Sequence, residues 1–228
     1  MNAENVKKPA QARLDRRTVG GKGENTRSLY LDSAEQVFAE KGYDGATIRA
    51  ISQQANVQLG ALHYYWGNKQ ALFQEVIQRR FAPVVEARLS RLQQLTDGPP
   101  EARNNILEIL NAYYEPLIES AAADELGVTA KLVLRIQTDA ALEAAAALEH
   151  VTEQAAIPFV TLLRAACSHL DEENFYWRLV SVFGTMMFVV GNRGIIARLV
   201  HRESSRDDLR AGSQQALHAL SLMLKEPL

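Results

Sequence analysis

The stretch "ATIRAISQQANVQLGALHYYWGNK", residues 46–69, decides the fold. Thr47 is a capping residue type in front of Ile48–Ala55, a segment with Ile48, Ile51 and Ala55 on one helical face and Arg49, Ser52 and Gln53 on another. "NVQ" then turns the chain, Leu59 to Tyr65 is long enough for a two-turn helix, and Asn68 caps a longer helix beginning near Lys69. Two short helices joined by a tight bend have the dimensions of a helix-turn-helix. Its predicted buried set is Ile48, Ile51, Ala55, Val57 and Leu62, with Trp66 turning inward four residues after Leu62. Gln58, Leu59, Ala61, His63, Tyr64 and Tyr65 are then left largely outside.

The consecutive rings His63, Tyr64, Tyr65 and Trp66 point in several directions on a helix and do not all fit one core. Taken alone, such a cluster reads as packing or as recognition. In the second reading, outward Gln, His and Tyr groups meet base edges and phosphates in a major groove, where Gln pairs with adenine and apolar groups meet thymine methyls. Gly60 and Ala61 keep the helix thin enough for its backbone to approach DNA. Arg49 is placed to reach guanine or a phosphate, and Thr47 and Lys69, at two helix starts, suit phosphate contacts.

Upstream, Tyr30, Ala34, Val37, Phe38 and Lys41 carry amphipathic-helix spacing that ends at Gly42. The whole run "AEQVFAEKGYDGATIRAISQQANVQLGALHYYWGNKQALF" resembles the DNA-binding domain of the TetR/AcrR family of transcriptional repressors, with the order "GY…T…I…A…V…G.L…Y…K..L" as its specific part. The likeness covers Thr26 to about Phe73. It implies phosphate contacts from Thr47, Tyr64 and Lys69, and base or groove contacts from Arg49, Gln58, Leu59, Ala61, His63 and Tyr65. His63 stands where the family usually has a Tyr, so which of His63, Tyr64 and Tyr65 holds the phosphate stays open; Trp66 replaces the usual Phe as a core residue.

Charge is distributed to match. The net charge is −2 over 228 residues, but residues 1–80 hold 12 Lys or Arg against 8 Asp or Glu. A polyanion belongs at that basic end. Residues 1–25, polar and Gly-containing, read as a disordered basic arm, either inert or brushing DNA phosphates. Residues 26–72 form the DNA-binding domain and 73–228 a helical regulatory and dimerisation domain. "GGKG" lacks the spacing and the following Ser or Thr of a phosphate-binding loop.

Beyond Gln70 the pattern is helical without strand alternation, with breaks expected near Pro83, residues 96–100, Pro116, 123–127, Pro158, 169–174 and 201–208. The fold class is all-α: a three-helix helix-turn-helix unit followed by a larger helical domain. With 47% hydrophobic residues the chain can bury a substantial core. No apolar run is long enough to span a membrane, so the expected location is cytoplasmic with no membrane partner. The lone Cys167 reads as a packed, reduced thiol.

The resemblance further implies a ligand-binding C-terminal domain and a homodimer formed by the last two long helices, here about Phe175–Val200 and Leu209–Lys225. Val180, Gly184, Phe188, Leu217, Leu220 and Leu224 are the interface candidates, because both helices are apolar on more than one face. An apolar pocket lining is expected from Tyr113, Tyr114, Leu117, Leu134, Phe159, Leu163, Phe183, Met186 and Met187. Arg135, Arg164 and Arg178 lie in otherwise apolar helices, each either placed to meet a ligand carboxylate or engaged on the protein. The reading is a ligand-responsive dimeric repressor of a palindromic double-stranded operator, released by a small, largely apolar inducer. A transcriptional activator or a ligand-independent DNA binder of the same fold are the alternatives. No cofactor, metal or catalytic residue is expected: the chain has no zinc-protease helix, nucleophile elbow, paired Cys ligands or dinucleotide-binding loop.

Overall fold

A computed structural model describes residues 16–138, 141–201 and 206–226. Among these the chain is all-α, with ten helices and no strand. In chain order they are α1 (Arg16–Gly45), α2 (Ile48–Ala55), α3 (Gly60–Tyr65), α4 (Lys69–Asp97) and α5 (Pro100–Arg103). There follow α6 (Ile106–Ala123), α7 (Val128–Thr138), α8 (Leu142–Ala166), α9 (Glu172–Leu199) and α10 (Arg206–Lys225).

The N-terminal helices form where the local signals place them. Gly42, at φ 71° and ψ 179°, interrupts α1, a conformation only glycine adopts without strain. The Thr47 side chain accepts the Ala50 N–H to start α2, and Asn56, left-handed at φ 52°, ends it. The Asn68 side chain accepts the Ala71 N–H at 2.8 Å to start α4. Phe38 and Phe73 meet edge to face at 4.9 Å, and Tyr43 meets Phe73 at 5.0 Å, locking α1 to α4.

Two expectations are corrected. The arm was expected to run to residue 25, but α1 begins at Arg16; residues 1–15 lie outside the described part. Pro83, Pro116 and Pro158 do not break the chain: each sits inside a continuous helix, α4, α6 and α8 respectively. An interior proline removes one backbone hydrogen bond at a cost of about 3 kcal/mol. The apolar faces of these long helices offset it, because α4, α6 and α8 pack against one another along their lengths. A break that was not foreseen falls at Asn104 and Asn105, where the Asn105 side chain accepts the Leu107 and Glu108 N–H groups and starts α6.

α4 spans the two halves of the molecule. Its first turns pack on α1, and its later turns on α6 and α8. α7 lies between α1 and α9, while α10 packs on α6 and α9. Arg80 of α4 pairs with the buried Glu35 of α1 and, at 3.6 Å, with Asp124 in the turn after α6. The Asp124 carboxyl is opposed by burial, yet the Thr129 N–H and hydroxyl, with Arg80, hold its pKa below the usual value. Cys167 is fully buried, and burial pushes its thiol up to about 11, so it is inert packing as expected. No helix among the described residues is long and apolar enough to cross a membrane.

Candidate nucleic-acid interface and ligand cavity

The helix-turn-helix is held from behind by Tyr30 of α1. Its ring is fully buried, its hydroxyl lies 2.9 Å from Ser52 Oγ of α2, and its face receives Trp66 at 5.3 Å. Burial raises the Tyr30 pKa, so the hydroxyl stays protonated and can donate. The Trp66 indole N–H donates to Glu75 of α4, which also pairs with Arg27 of α1. Ile51, Ala55, Leu62 and Trp66 are buried, while Ile48 and Val57 are only partly so. The orientation of α3 is thus fixed through Leu62 and Trp66, leaving its opposite face free.

That face carries the expected residues with gradations. Arg49, Gln58 and Leu59 line one open groove of about 640 Å³ formed by α2 and the turn between α2 and α3. Thr47 and Gly60 are exposed, and no protein atom lies within 4 Å of where a Gly60 Cβ would stand, so the small residue is not required by packing. His63 is exposed, with Nδ1 2.9 Å from the Gly67 carbonyl. A protonated Nδ1 donates there and turns Nε2 outward. Tyr64 is 82% exposed, more than any other large apolar or aromatic side chain of the expected set. Tyr65 and Ala61 are half-buried, Tyr65 resting on Trp66 at 5.5 Å. Among the three rings, Tyr64 and His63 are thus the exposed ones and Tyr65 the half-buried one.

Lys69 differs from expectation. Its ammonium donates to the carbonyls of Tyr43 (3.0 Å) and Ala46 (3.4 Å) and sits 4.3 Å from the Tyr43 ring centroid. It clamps the corner between α1 and α2, leaving one N–H for any outside acceptor.

The C-terminal domain contains a cavity of about 220 Å³ between α4, α6, α7, α8 and α9. Of the expected lining, Tyr113, Tyr114, Leu117, Phe183 and Met187 face it. Phe159, Leu163 and Met186 are instead fully buried in the surrounding core, Phe159 stacked on Tyr113 at 4.1 Å. Leu134 packs against Gly191, and Arg135 is exposed and donates to the Glu40 carbonyl at 2.6 Å. Arg164 and Arg178 are also engaged on the protein: Arg164 holds the Cys167 and Leu170 carbonyls, and Arg178 those of Met223 and Glu226. The cavity's cation is one not foreseen, Arg88 of α4, 5% exposed. It occupies the buried stripe Phe81, Val84, Val85, Arg88, Leu92 at helical spacing, a signal that was present in the sequence.

The expected dimer faces divide. Val180, Gly184 and Phe188 are exposed on α9, next to exposed Tyr176 and Trp177. Leu217, Leu220 and Leu224 are buried within the chain, because that face of α10 packs on α6 and α9. They are not available to a partner; the outward face of α10 carries Ala211, Gln215, Ala219 and Leu222.

Comparison with known proteins agrees with this architecture. Residues 31–76 match the tetR family of bacterial regulatory proteins, and residues 111–221 match the Tetracyclin repressor-like C-terminal domain. The chain belongs to the TetR family. Among TetR-family relatives it is similar to the HTH-type transcriptional repressor BepR of Brucella suis, 27% identical over 83% of this chain and 87% of that one. Its likeness to the repressor AcnR of Corynebacterium efficiens is 25% identity over 53% of this chain, and the aligned part spans only 56% of AcnR. The negative regulator IcaR of Staphylococcus epidermidis is 35% identical over 22% of this chain and 28% of its own length. In fold, the chain is similar to the fatty acid degradation regulator FadR of Bacillus halodurans, with a TM-score of 0.59 at 20% identity, covering 88% of this chain and 99% of that one. FadR of Bacillus subtilis, solved in complex with stearoyl-CoA, gives 0.56 at 15% identity over 88% and 99% of the two chains. Among the described residues no cluster of three or more His, Cys, Asp or Glu is placed to hold a metal.

Proposed function

We propose that the protein is a ligand-responsive transcriptional repressor, and not an enzyme, that binds a palindromic operator as a homodimer and is released by a small, largely apolar inducer. The observation that carries the reading is the free α2/α3 surface, where Arg49, Gln58 and Leu59 line one groove beside exposed His63 and Tyr64. These are side chains able to contact base edges and phosphates. The relatives BepR and AcnR are both transcriptional repressors by name, which favours repression over activation.

A two-fold dimer across α9 is supported by the exposed apolar row Tyr176, Trp177, Val180 and Phe188. Ligand response is supported by the cavity, whose lining is mainly aromatic and aliphatic. A solved protein of the same fold binds stearoyl-CoA, and a ligand in this chain would press on α4, whose Arg88 lines the cavity and whose Lys69 clamps the helix-turn-helix. Such a ligand lowers operator affinity only by favouring one arrangement of the dimer over another. Selection of bound sequences from random duplex DNA, at a fixed salt concentration, tests the proposal. A palindromic consensus is the expected result; sequence-indifferent, salt-sensitive binding would refute it in favour of a ligand-independent DNA binder.

A further inference from the structure

Arg88 is a buried charge without a counter-charge. It is 5% exposed and lines the cavity, and among the described residues no carboxylate pairs with it. Its one hydrogen bond there runs from Nε to the Tyr113 carbonyl at 2.7 Å, and the guanidinium lies 4.0 Å from the Tyr113 ring centroid. The fold thus uses the Nε edge and fixes the plane of the group, while the Nη1/Nη2 edge has no protein acceptor among the described residues. Burial lowers the Arg88 pKa from its ordinary value, but that value lies so far above neutrality that the guanidinium keeps its proton, and a buried charge is costly unless it is paired.

A second polar group, in the wall of the cavity, is also unsatisfied. The Tyr114 hydroxyl is buried and has no hydrogen-bond partner, and its ring lines the cavity. Burial holds its pKa well above the ordinary value, so it is a neutral O–H donor in want of an acceptor. The remaining wall is formed by Phe81, Leu117, Val133, Leu148, Phe183 and Met187, with Thr152 as its one further polar residue, its hydroxyl donating to the Leu148 carbonyl at 2.9 Å.

We infer that the cavity takes a monocarboxylic acid with an apolar body, its carboxylate seated end-on against the Arg88 Nη1/Nη2 edge and its hydrocarbon part against Phe183 and Met187. The planar two-oxygen acceptor matches the two parallel N–H groups of that edge. One cation with no second Lys or Arg in the lining suits a single negative charge, which disfavours phosphate monoesters and dicarboxylates. At about 220 Å³ the space is smaller than the ~300–1,000 Å³ typical of drug-sized ligands, which favours a short acid over a long one. This assignment rests on the ligand-responsive reading above and adds the chemical class of the ligand.

The test uses the full chain with straight-chain acids of four to ten carbons, phenylacetic acid and indole-3-acetic acid, each against its primary amide. Binding is read by calorimetry and by thermal shift. At least one acid is expected to bind about tenfold or more tightly than its amide, the range of a hydrogen bond to a charged group. Arg88→Met should bring acid and amide to within about twofold. Tyr114→Phe, which removes only an unpartnered buried hydroxyl, should leave the fold and the acid preference intact, the control that ties the preference to Arg88. Acid and amide binding alike on the unaltered protein, no acid binding at millimolar concentration, or an acid preference that survives Arg88→Met in a folded protein would each overturn the assignment. Release of the operator is measured separately: an acid that binds without releasing DNA supports the assignment and counts against the regulatory reading.

Discussion

Replacing Lys69 by Met separates two roles that the sequence alone merged. As a phosphate ligand only, Lys69 contributes nothing to the free protein, and its loss lowers the slope of log affinity against log salt by about 0.9. The structure gives it other work: two charge-assisted hydrogen bonds to the Tyr43 and Ala46 carbonyls, and the face of the Tyr43 ring at 4.3 Å. Lys69 is partly exposed, so each hydrogen bond is taken at about 0.5–1 kcal/mol and the ring contact at about 0.5 kcal/mol. Lys69→Met should then cost about 2 kcal/mol, which for a chain of this size lowers Tm by about 4–8 °C. Thermal unfolding followed by circular dichroism reads the first quantity, and fluorescence anisotropy with labelled operator and random duplexes across a salt series reads the second. Affinity for both DNAs should fall, because the corner that presents α2 relaxes, with a slope change well below one. An unchanged Tm together with a slope reduced by about one would refute the clamp.

Other outcomes follow from the same geometry. Arg49→Ala and Gln58→Ala, which share a groove, should each reduce the preference for operator over random duplex by about 1–3 kcal/mol in competition binding, without changing Tm. On α9, Trp177→Glu should turn the proposed dimer into a folded monomer by light scattering, whereas Leu217→Ala, fully buried, should cost about 2–5 kcal/mol of stability in urea unfolding. Asp124 has a folded-state pKa depressed below 3.8, so its contribution to stability is present above that value and is lost as the pH falls through the folded one. Hydrogen exchange should therefore show the amides of Leu126 and Thr129, which donate to it, losing protection only in that acid range, and Asp124→Asn should remove the transition.

The helix-turn-helix was legible because its signals are local. Thr47 and Asn68 cap helices through their own side chains, Gly42 interrupts α1 where only glycine fits, and the spacing of Ile51, Ala55, Leu62 and Trp66 fixes one buried face. The proline positions misled because propensity is local while their compensation is tertiary: the faces flanking Pro83, Pro116 and Pro158 lie on three helices that cover one another. The polar, Gly-containing residues 16–25 gave no apolar period, so the start of α1 was invisible in them. For the expected pocket lining, aromatic and Met residues lie around one cavity, but their pattern does not say which side of each helix faces the hollow. Arginines in apolar helices were singled out in α7, α8 and α9, and all three proved to be spent on backbone carbonyls. Arg88 is hidden in the sequence because "ARLSRLQ" looks like a charged surface segment unless the stripe from Phe81 to Leu92 is followed through it.

The Glu35–Arg80–Asp124 link has a practical meaning for engineering. Its three members sit on α1, on α4 and in the turn after α6, so a seam drawn between a DNA-reading head and a sensing body cuts through it. A chimera that transplants residues 16–66 onto another sensor must bring an acidic residue to the Glu35 position and find an arginine waiting at the Arg80 position. A head lacking that acid would leave the host's arginine with only the Asp124 contact of this link at the joint. Compatibility between heads and bodies can thus be screened by these three positions before any hybrid is made.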